Sequence, residues 1–390
     1  MKGKVGVITF YYDNLNLGGL LQSYAMVKIL QNIGCNAEQI CYDYSKVNNA
    51  DKRLKLFMRM QLFIVVGGKK IWKKILFLCK KPIHSLSNKK IKRELMEQKQ
   101  VFKEFERYIP HSDKVYDAEN IELANEMYDI FICGSDQIWN PGLLMHRAYF
   151  LDFVKKEKRS IAYAVSMGRD KLTHIEENIF YKYIQKYKKI GVREEVMKEL
   201  VDKQGEKSQV VLDPTLLISK EEWKEIANFS VVPDKRYVFC YFLGDTVWQR
   251  KKVSEFAESC NMQIIHLPYI TNQYRSCDKY LKGEGRWDIG PREFIALIHS
   301  AEYIFTDSFH AMVFSFLFKK KFYVFDRNAE SGAMSMNSRI CDFVRMFQLE
   351  NRHLRTRDAI INDSDIDYVK MQNFFEKKKK ESINFLLEQL

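Results

Sequence analysis

The sequence predicts an α/β protein built from two domains. Short apolar runs that end in polar residues alternate with longer stretches of helical pattern along most of the 390 residues, as repeated strand–helix units do. This length exceeds the ~100–200 residues of one ordinary domain, and a hydrophobic content of 46% is enough for two cores. The pattern restarts after Pro233, so we expect domains over residues 1–225 and 226–390.

The first domain is predicted to begin with a βαβ unit. This unit has a strand over residues 4–10, a helix from Leu20 to Asn32 and a strand from Ala37 to Tyr42. The further predicted elements are helices near 94–107 and 172–187, strands over 128–133 and 160–166, and short strands that end in turns over 190–194 and 210–215.

The second domain repeats this alternation. Its predicted strands cover 237–243, 262–266, 303–306 and 322–325, and its predicted helices cover 248–260, 291–300, the stretch after His310 and a C-terminal helix over 366–390. Two Rossmann-like domains that face each other across a cleft are the simplest architecture with this order of elements.

A basic amphipathic insertion, residues 52–93, interrupts the first domain. It contains fourteen Lys or Arg and no Asp or Glu, whereas the net charge of the whole chain is +13. The segment is either a helix that lies on an anionic membrane surface or an insertion that packs on its own domain with solvated lysines. Its longest uncharged run, 60–68, is shorter than the ~20 residues of a transmembrane helix. Nucleic-acid binding is less favoured, since no base-reading module is recognised.

Several kinds of protein and site are not expected. The eight cysteines show no C-x-x-C spacing and no acidic metal loop is present, which argues against a disulfide framework and against a metal site. Met1 to Lys4 lead directly into a strand rather than into an apolar leader, so we expect a cytoplasmic protein. Gly18 and Gly19 let backbone approach a ligand closely, but they lack the full dinucleotide fingerprint, so we expect no nicotinamide cofactor.

The run TDSFH at 306–310 stands between an apolar strand and an apolar helix. Ligands bind at the carboxyl ends of strands in open α/β sheets, and a helix start offers N–H groups to an anion. His310 is therefore a candidate acid/base group and Ser308 a candidate anion ligand. The alternative is that Asp307 or Ser308 caps the helix while His310 only packs.

A second polar loop, GSDQIWNP at 134–141, follows the strand predicted over 128–133. Its polar side chains Ser135, Asp136 and Gln137 are suited to binding hydroxyl groups, and Trp139 could stack on a sugar face. A purely structural turn would account for Gly134 and Pro141 but not for the residues between them.

Five runs together resemble the polysaccharide pyruvyl transferase family. They are NLGGLLQSYA at 16–25, GSDQIWNP at 134–141, VRE at 192–194, LDPTL at 212–216 and TDSFH at 306–310, in the order that the family has them. The resemblance implies a fold like that of the GT-B glycosyltransferases, with the active site between two Rossmann-like domains. It also implies transfer of a pyruvyl group from phosphoenolpyruvate to a sugar.

The resemblance also assigns roles to residues. Arg193 and His310 match the family's phosphoenolpyruvate site, so we expect His310 as the general acid/base and Arg193 as the anion clamp. Asp136 is expected to accept a proton from the acceptor or to orient a base. Gln137, Trp139, Ser135, Ser308, Asn16, Gly18 and Gly19 are expected to bind substrate.

Other functions stay open. Arg193 could merely pair with Glu194 or Glu195. The protein could instead be a glycosyltransferase that uses a nucleotide sugar, or a non-catalytic protein that binds anionic glycolipid through residues 52–93. If the pyruvyl transferase interpretation holds, the acceptor belongs to a cell-surface polysaccharide or capsule precursor, which could be lipid-linked at the inner face of the cytoplasmic membrane.

Overall fold

The computed structural model describes residues 3–46, 89–144, 146–169, 171–269, 276–327 and 337–390. Most of the basic insertion, residues 52–88, lies outside these ranges, so the choice between its two interpretations stays open. Among the described helices, none is both long enough and apolar enough to cross a membrane.

The first domain is organised around a parallel sheet of seven strands. The strands are β1 (Val5–Ile8), β2 (Ala37–Tyr42), β3 (His111–Tyr116), β4 (Ile130–Cys133), β5 (Arg159–Val165), β6 (Ile190–Val192) and β7 (Ser208–Val210). Their order in the sheet is β3-β2-β1-β4-β5-β6-β7. The helices are α1 (Leu17–Asn32), α2 (Lys89–Glu106), α3 (His174–Ile184) and α4 (Glu195–Asp202).

The second domain has a parallel sheet of six strands. The strands are β8 (Tyr237–Tyr241), β9 (Gln263–His266), β10 (Glu284–Gly285), β11 (Tyr303–Thr306), β12 (Lys321–Phe325) and β13 (His353–Leu354), in the order β10-β9-β8-β11-β12-β13. Its helices are α6 (Val247–Ser259), α7 (Pro291–Ser300), α8 (Phe309–Leu317) and α9 (Ser338–Met346). Helix α5 (Lys220–Ile226) lies in the connection between the sheets, and α10 (Tyr368–Gln389) ends the chain.

The central strands are apolar because helices cover both faces of a parallel sheet. Every residue of β1, β4 and β11 is buried, and each strand is a nearly continuous hydrophobic run. Each sheet reverses its strand order once, between β1 and β4 in the first domain and between β8 and β11 in the second. A reversal leaves a crevice at the carboxyl ends of its two strands, which is where α/β proteins bind ligands.

The two domains share one hydrophobic core. A single cluster of buried side chains runs from α1 in the first domain to α7 and α8 in the second. The C-terminal helix α10 also joins them. Near its start, the Tyr368 hydroxyl donates to the Lys320 carbonyl, and near its end the Ser382 hydroxyl accepts from the Leu212 N–H.

The predicted α/β class and the two parallel-sheet domains are confirmed. The structure adds the edge strand β3, which sequence reasoning missed because its residues HSDKVY are mostly exposed and polar. It also ends β7 at Val210, so most of the segment predicted as a short strand and turn over 210–215 lies after the strand. Pro214 cannot donate a backbone hydrogen bond, and the Asp213 side chain caps a short turn that starts there. Helix α10, which the sequence places in the second domain, contacts both domains.

Candidate active site

A cavity of about 440 Å³ lies where the two switch points face each other. The first domain contributes residues that follow β1 and β4, and the second contributes residues that follow β8, β9, β11 and β12. This volume is in the range of small-molecule sites in proteins. The cleft predicted between the domains is therefore present at the carboxyl ends of the strands.

His310 lies in the first turn of α8 and is only 6% exposed. Its imidazole packs on Gly18 at the start of α1, so closely that a Cβ at position 18 would stand 2.1 Å from Nδ1. On the other side, Nε2 has no hydrogen-bond partner among the described residues, and it lies 3.7 Å from Oδ2 of Asp213. Burial lowers the pKa of His310, and the carboxylates of Asp213 and Asp136 offset only part of that effect.

The turn before α8 is held by its own polar side chains. Both oxygens of Asp307 accept hydrogen bonds from the N–H groups of Leu243 and Gly244, and Ser308 is the N-cap whose hydroxyl accepts from Ala311. The capping role considered for Ser308 is thus present, while Asp307 ties the end of β8 to the end of β11. The N-terminal end of α8 opens toward the cavity.

Arg193, which follows β6, is enclosed by carboxylates of the first domain. Nη1 donates to Asp213 at 2.7 Å, and the group also lies 3.4 Å from Glu194 and 3.4 Å from Asp136. Its guanidinium stacks on the ring of Phe309, 4.6 Å from the centroid, and its side chain is 2% exposed. Arg193 therefore orders the acidic residues and lies behind Phe309 rather than in the cavity wall.

Asp213 is the central acceptor of this cluster. Its Oδ2 accepts from Arg193 and Ser135, and its Oδ1 accepts from the N–H and hydroxyl of Thr215. Burial raises the pKa of Asp213, but the positive charges of His310 and Arg193 and these hydrogen bonds outweigh burial, so the pKa is lowered. Asp213 is an ionised group that faces His310.

Arg339 of α9 supplies a positive charge to the cavity wall itself. It is 4% exposed and lies 3.8 Å from Asp136 across the cleft. With the Gln137 amide oriented so that its oxygen faces Arg339, that oxygen accepts from both Nη atoms at 2.9 and 2.7 Å. Burial and the nearby Arg193 lower the pKa of Arg339 to about 9, which leaves it charged at neutral pH. Its Nε has no hydrogen-bond partner in the part of the chain that the structure describes.

The structure brings together part of the predicted site. Six predicted residues line the cavity: Asn16, Gly18, Asp136, Gln137, Ser308 and His310. Asn16 connects two of the predicted loops, because its amide nitrogen donates to Asp136 at 3.1 Å and its oxygen caps α1.

Four of the residues predicted to take part in the site do not line the cavity. Trp139 is fully buried, stacked on Phe150, with its indole N–H bound to the Tyr149 carbonyl, so it cannot stack on a sugar. Ser135 is also fully buried, and its hydroxyl donates a hydrogen bond to Oδ2 of Asp213.

The other two residues, Gly19 and Arg193, also lie outside the cavity lining. Gly19 lies inside the first turn of α1, where a Cβ would be 2.9 Å from the Phe10 carbonyl oxygen. The cavity is lined by Gly18 and not by Gly19. Arg193 is paired with three carboxylates and does not line the cavity.

Sequence reasoning missed Arg339 and the role of Asp213. Asp213 belongs to the run LDPTL at 212–216, which resembles the family. Nothing in that run indicates that a histidine of the other domain lies close to Asp213. Arg339 left a weak signal in α9, where it shares the buried side of the helix with Ile340, Phe343 and Val344. An arginine on an apolar helix face is rarely buried without a partner.

A second polar cluster lies beside the cavity. Asp326, Cys341 and His353 place their side-chain heteroatoms within 4.8 Å of one another. Arg355 donates to His353 Nδ1 at 3.2 Å and to the Cys341 sulfur at 3.2 Å, so His353 carries its proton on Nε2, which donates to Asp326. In this arrangement the three groups are joined to one another and to Arg355 by hydrogen bonds.

The chain is similar in fold to several solved structures. A UDP-GlcNAc 2-epimerase from Methanocaldococcus jannaschii is 14% identical, with 98% of this chain and 92% of that chain covered and a TM-score of 0.49. A Listeria monocytogenes protein assigned as a UDP-N-acetylglucosamine 2-epimerase is 9% identical, with 99% and 90% covered and a TM-score of 0.50. The glycosyltransferase SsfS6 from Streptomyces sp. SF2575 is 10% identical over 100% of both chains, with a TM-score of 0.42.

The likeness at a TM-score of 0.50 supports a GT-B-like fold and nothing finer. No curated protein sequence matches the chain. The model of one protein family, polysaccharide pyruvyl transferase, matches residues 16–328, a span that holds all five recognised runs and ends before Arg339. By this match over most of its length, the chain belongs to the polysaccharide pyruvyl transferase family.

Proposed function

We propose that the protein transfers the pyruvyl group of phosphoenolpyruvate to two hydroxyls of a sugar and forms a pyruvate ketal. The observation that carries this proposal is the pair formed by His310 and Arg339 on one cavity wall, a buried imidazole with an unpartnered Nε2 next to a buried guanidinium with an unpartnered Nε among the described residues. A donor with carboxylate and phosphate groups offers acceptors to both.

The reaction needs a proton donor and anion binding. Protonation of the methylene carbon of phosphoenolpyruvate makes C2 electrophilic, and a sugar hydroxyl adds there with loss of its proton. Phosphate then leaves with the electrons of the C2–O bond, and the second hydroxyl adds at C2 and loses its proton. The ketal and inorganic phosphate are the products.

His310 is the general acid in this scheme. It can give its proton to the methylene carbon and then take the proton of an attacking hydroxyl, since imidazole serves in both directions near neutral pH. Asp213 faces it at 3.7 Å and stabilises the charged form. Asp136, with its carboxylate held by Asn16 and Arg193, is placed to accept from an acceptor hydroxyl.

Arg339 is the anion clamp in place of Arg193. Its guanidinium presents donors in a planar fork, which suits a carboxylate or phosphate, and Gln137 orients it from the first domain. Ser308 and the first N–H groups of α8 add donors on the same wall.

Thermal unfolding with added ligands tests the donor. We expect phosphoenolpyruvate to raise the unfolding temperature of the wild type, because a ligand that binds only the folded state stabilises it. Arg339→Ala should abolish this increase. Arg345→Ala is the matched control, since Arg345 lies on the same helix with 72% of its side chain exposed. Stabilisation by phosphoenolpyruvate that survives in Arg339→Ala would contradict the assignment of the clamp.

A glycosyltransferase that uses a nucleotide sugar is the second candidate. The GT-B-like fold is compatible with it, and a diphosphate would also suit Arg339. If nucleoside diphosphate sugars stabilise the protein and phosphoenolpyruvate does not, the donor is a nucleotide sugar.

We further propose that the basic insertion brings the protein to an anionic membrane that holds a lipid-linked acceptor. Its fourteen basic residues and the apolar residues between them support this role. Deletion of 52–88 leaves α2 intact and should abolish sedimentation with anionic vesicles without reducing activity on a soluble acceptor. Sedimentation that persists after the deletion would rule out residues 52–88 as the membrane-binding part of the insertion.

A further inference from the structure

The cavity is chemically divided along the edge of the second sheet. The strands there follow one another as β9, β8, β11 and β12, and each contributes to the cavity where it ends. Tyr269 follows β9, Leu243 follows β8, His310 follows β11 and Arg327 follows β12. The wall therefore changes from aromatic and aliphatic at one side to basic at the other.

The charged groups gather on the β11–β12 side. Among the described residues, the acidic and basic side chains in the cavity lining are Asp136, His310, Arg327 and Arg339. Arg339 lies 3.8 Å from Asp136. The charge of Arg339 contributes to lowering the pKa of His310, and the charge of Arg327 contributes to lowering the pKa of Arg339.

The β8–β9 side has a different composition. Its described lining residues from the second domain are Tyr241, Leu243 and Tyr269, without an acidic or basic side chain. The first domain adds Phe10 and Leu15, and the amides of Asn14 and Asn140, to the cavity. Aromatic faces pack on the C–H faces of a pyranose, while amides donate to and accept from its hydroxyls.

We propose that the β8–β9 side of the cavity is the acceptor subsite and that it takes an uncharged pyranose ring, packed on Tyr269 and Phe10. This inference rests on the proposed function, since it places the acceptor beside the donor anion. An acceptor there has its hydroxyls directed toward the β11 end, where His310 and Asp136 lie. A ring bearing its own phosphate or carboxylate would lose hydration on this side without gaining a cationic partner among the described lining residues.

The size of the cavity agrees with two ligands. Its volume of about 440 Å³ exceeds what a three-carbon phosphate ester fills, so a donor at Arg339 leaves room for a sugar ring. A single acceptor ring is held by shape and by weak polar contacts, so we expect millimolar affinity for a monosaccharide.

Saturation-transfer NMR with methyl hexosides tests the subsite without phosphoenolpyruvate. The probes are the methyl glycosides of common neutral hexoses and N-acetylhexosamines, with methyl glucuronide as the charged comparison. We expect transfer to the ring protons of at least one neutral glycoside and none to the glucuronide. Tyr269→Ala should reduce the transfer about five-fold or more, and Tyr269→Phe, which keeps the aromatic face, should restore it. Phe10→Leu should also reduce it.

The outcomes separate this inference from the proposed function. Stabilisation by phosphoenolpyruvate, and its dependence on Arg339, is measured independently of any sugar. Two results would contradict the acceptor subsite without affecting the proposed donor. One is that phosphoenolpyruvate binds but no neutral glycoside receives saturation. The other is that Tyr269→Ala and Phe10→Leu leave the saturation transfer unchanged. If the base protons of a nucleoside diphosphate receive saturation that Tyr269→Ala removes, the aromatic side binds a nucleobase and the inference is overturned.

Discussion

Nε2 of His310 and Oδ2 of Asp213 lie 3.7 Å apart and belong to different domains. Asp213 is fixed in the first domain by Arg193, Ser135 and Thr215, whereas His310 is carried by α8 of the second. The pair of His310 and Asp213 therefore forms only when the domains are packed as described. The shared core and α10, which contact both domains, maintain that packing.

Asp213→Asn should change the pH dependence of the reaction. The Asp213 carboxylate raises the pKa of His310 against the lowering effect of burial, so its removal lowers that pKa further below the ordinary value of 6.5. The first step needs protonated His310, so kcat/KM falls as pH rises through this pKa. We expect that fall to occur at lower pH in the variant, as measured by phosphate release across pH. The exposed Asp129→Asn is the control, and an unshifted profile in Asp213→Asn would exclude the coupling.

Arg193→Met should unfold far more easily than the wild type. The change leaves Asp136, Glu194 and Asp213 buried near one another without their shared cation. Loss of one partner of a buried ion pair costs about 3–5 kcal/mol, and urea unfolding measures it. Arg236→Met removes an exposed pair with Glu302 and should leave stability unchanged. If Arg193→Met retained full stability and lost only donor binding, Arg193 would be a ligand after all.

Gly18→Ala should inactivate the protein with little loss of folding. Its Cβ would overlap His310, which stands 2.1 Å away at Nδ1, so the imidazole must move. Displacement of a catalytic group by about 1 Å can cost on the order of 100-fold in rate. Gly142→Ala also adds a methyl group beside the cavity but meets a single atom, Asn140 Oδ1, at 3.2 Å, so its effect should be much smaller. Equal activities of the two variants would show that the position of His310 does not limit the rate.

Much of the fold was predictable because parallel strands and their helices have strong local signatures. The helix Pro291–Ser300 and the strand Tyr303–Thr306 agree with their predicted bounds, since proline starts the first and the second is a buried apolar run. The edge strand β3 was missed because only two of its residues, Ser112 and Tyr116, are buried. Edge strands lack the apolar pattern that identifies central ones.

The site was predictable only in part, because a motif indicates that residues are near a ligand but not which of them touch it. Trp139 and Asp136 stand three residues apart in one loop, yet one is in the core and the other lines the cavity. Arg193 does not line the cavity, because Asp136 and Asp213, which are distant in sequence, enclose it together with the adjacent Glu194, whereas Arg339 does line the cavity. Such pairings depend on the packing of several elements, which local sequence does not encode.

Ser382→Ala should weaken the attachment of α10 to the first domain. The Ser382 hydroxyl accepts from the Leu212 N–H at 2.9 Å and is 1% exposed, so alanine leaves a buried donor without a partner directly before Asp213. An unsatisfied buried group costs about 1–3 kcal/mol, which urea unfolding would detect. Ser259→Ala, at an exposed helix end, is the control and should change stability little. A Ser382→Ala protein as stable as the control would mean that water or a shift of α10 replaces the bond. Because Leu212 positions Asp213, the destabilised variant should also show reduced activity at the temperature where α10 begins to detach.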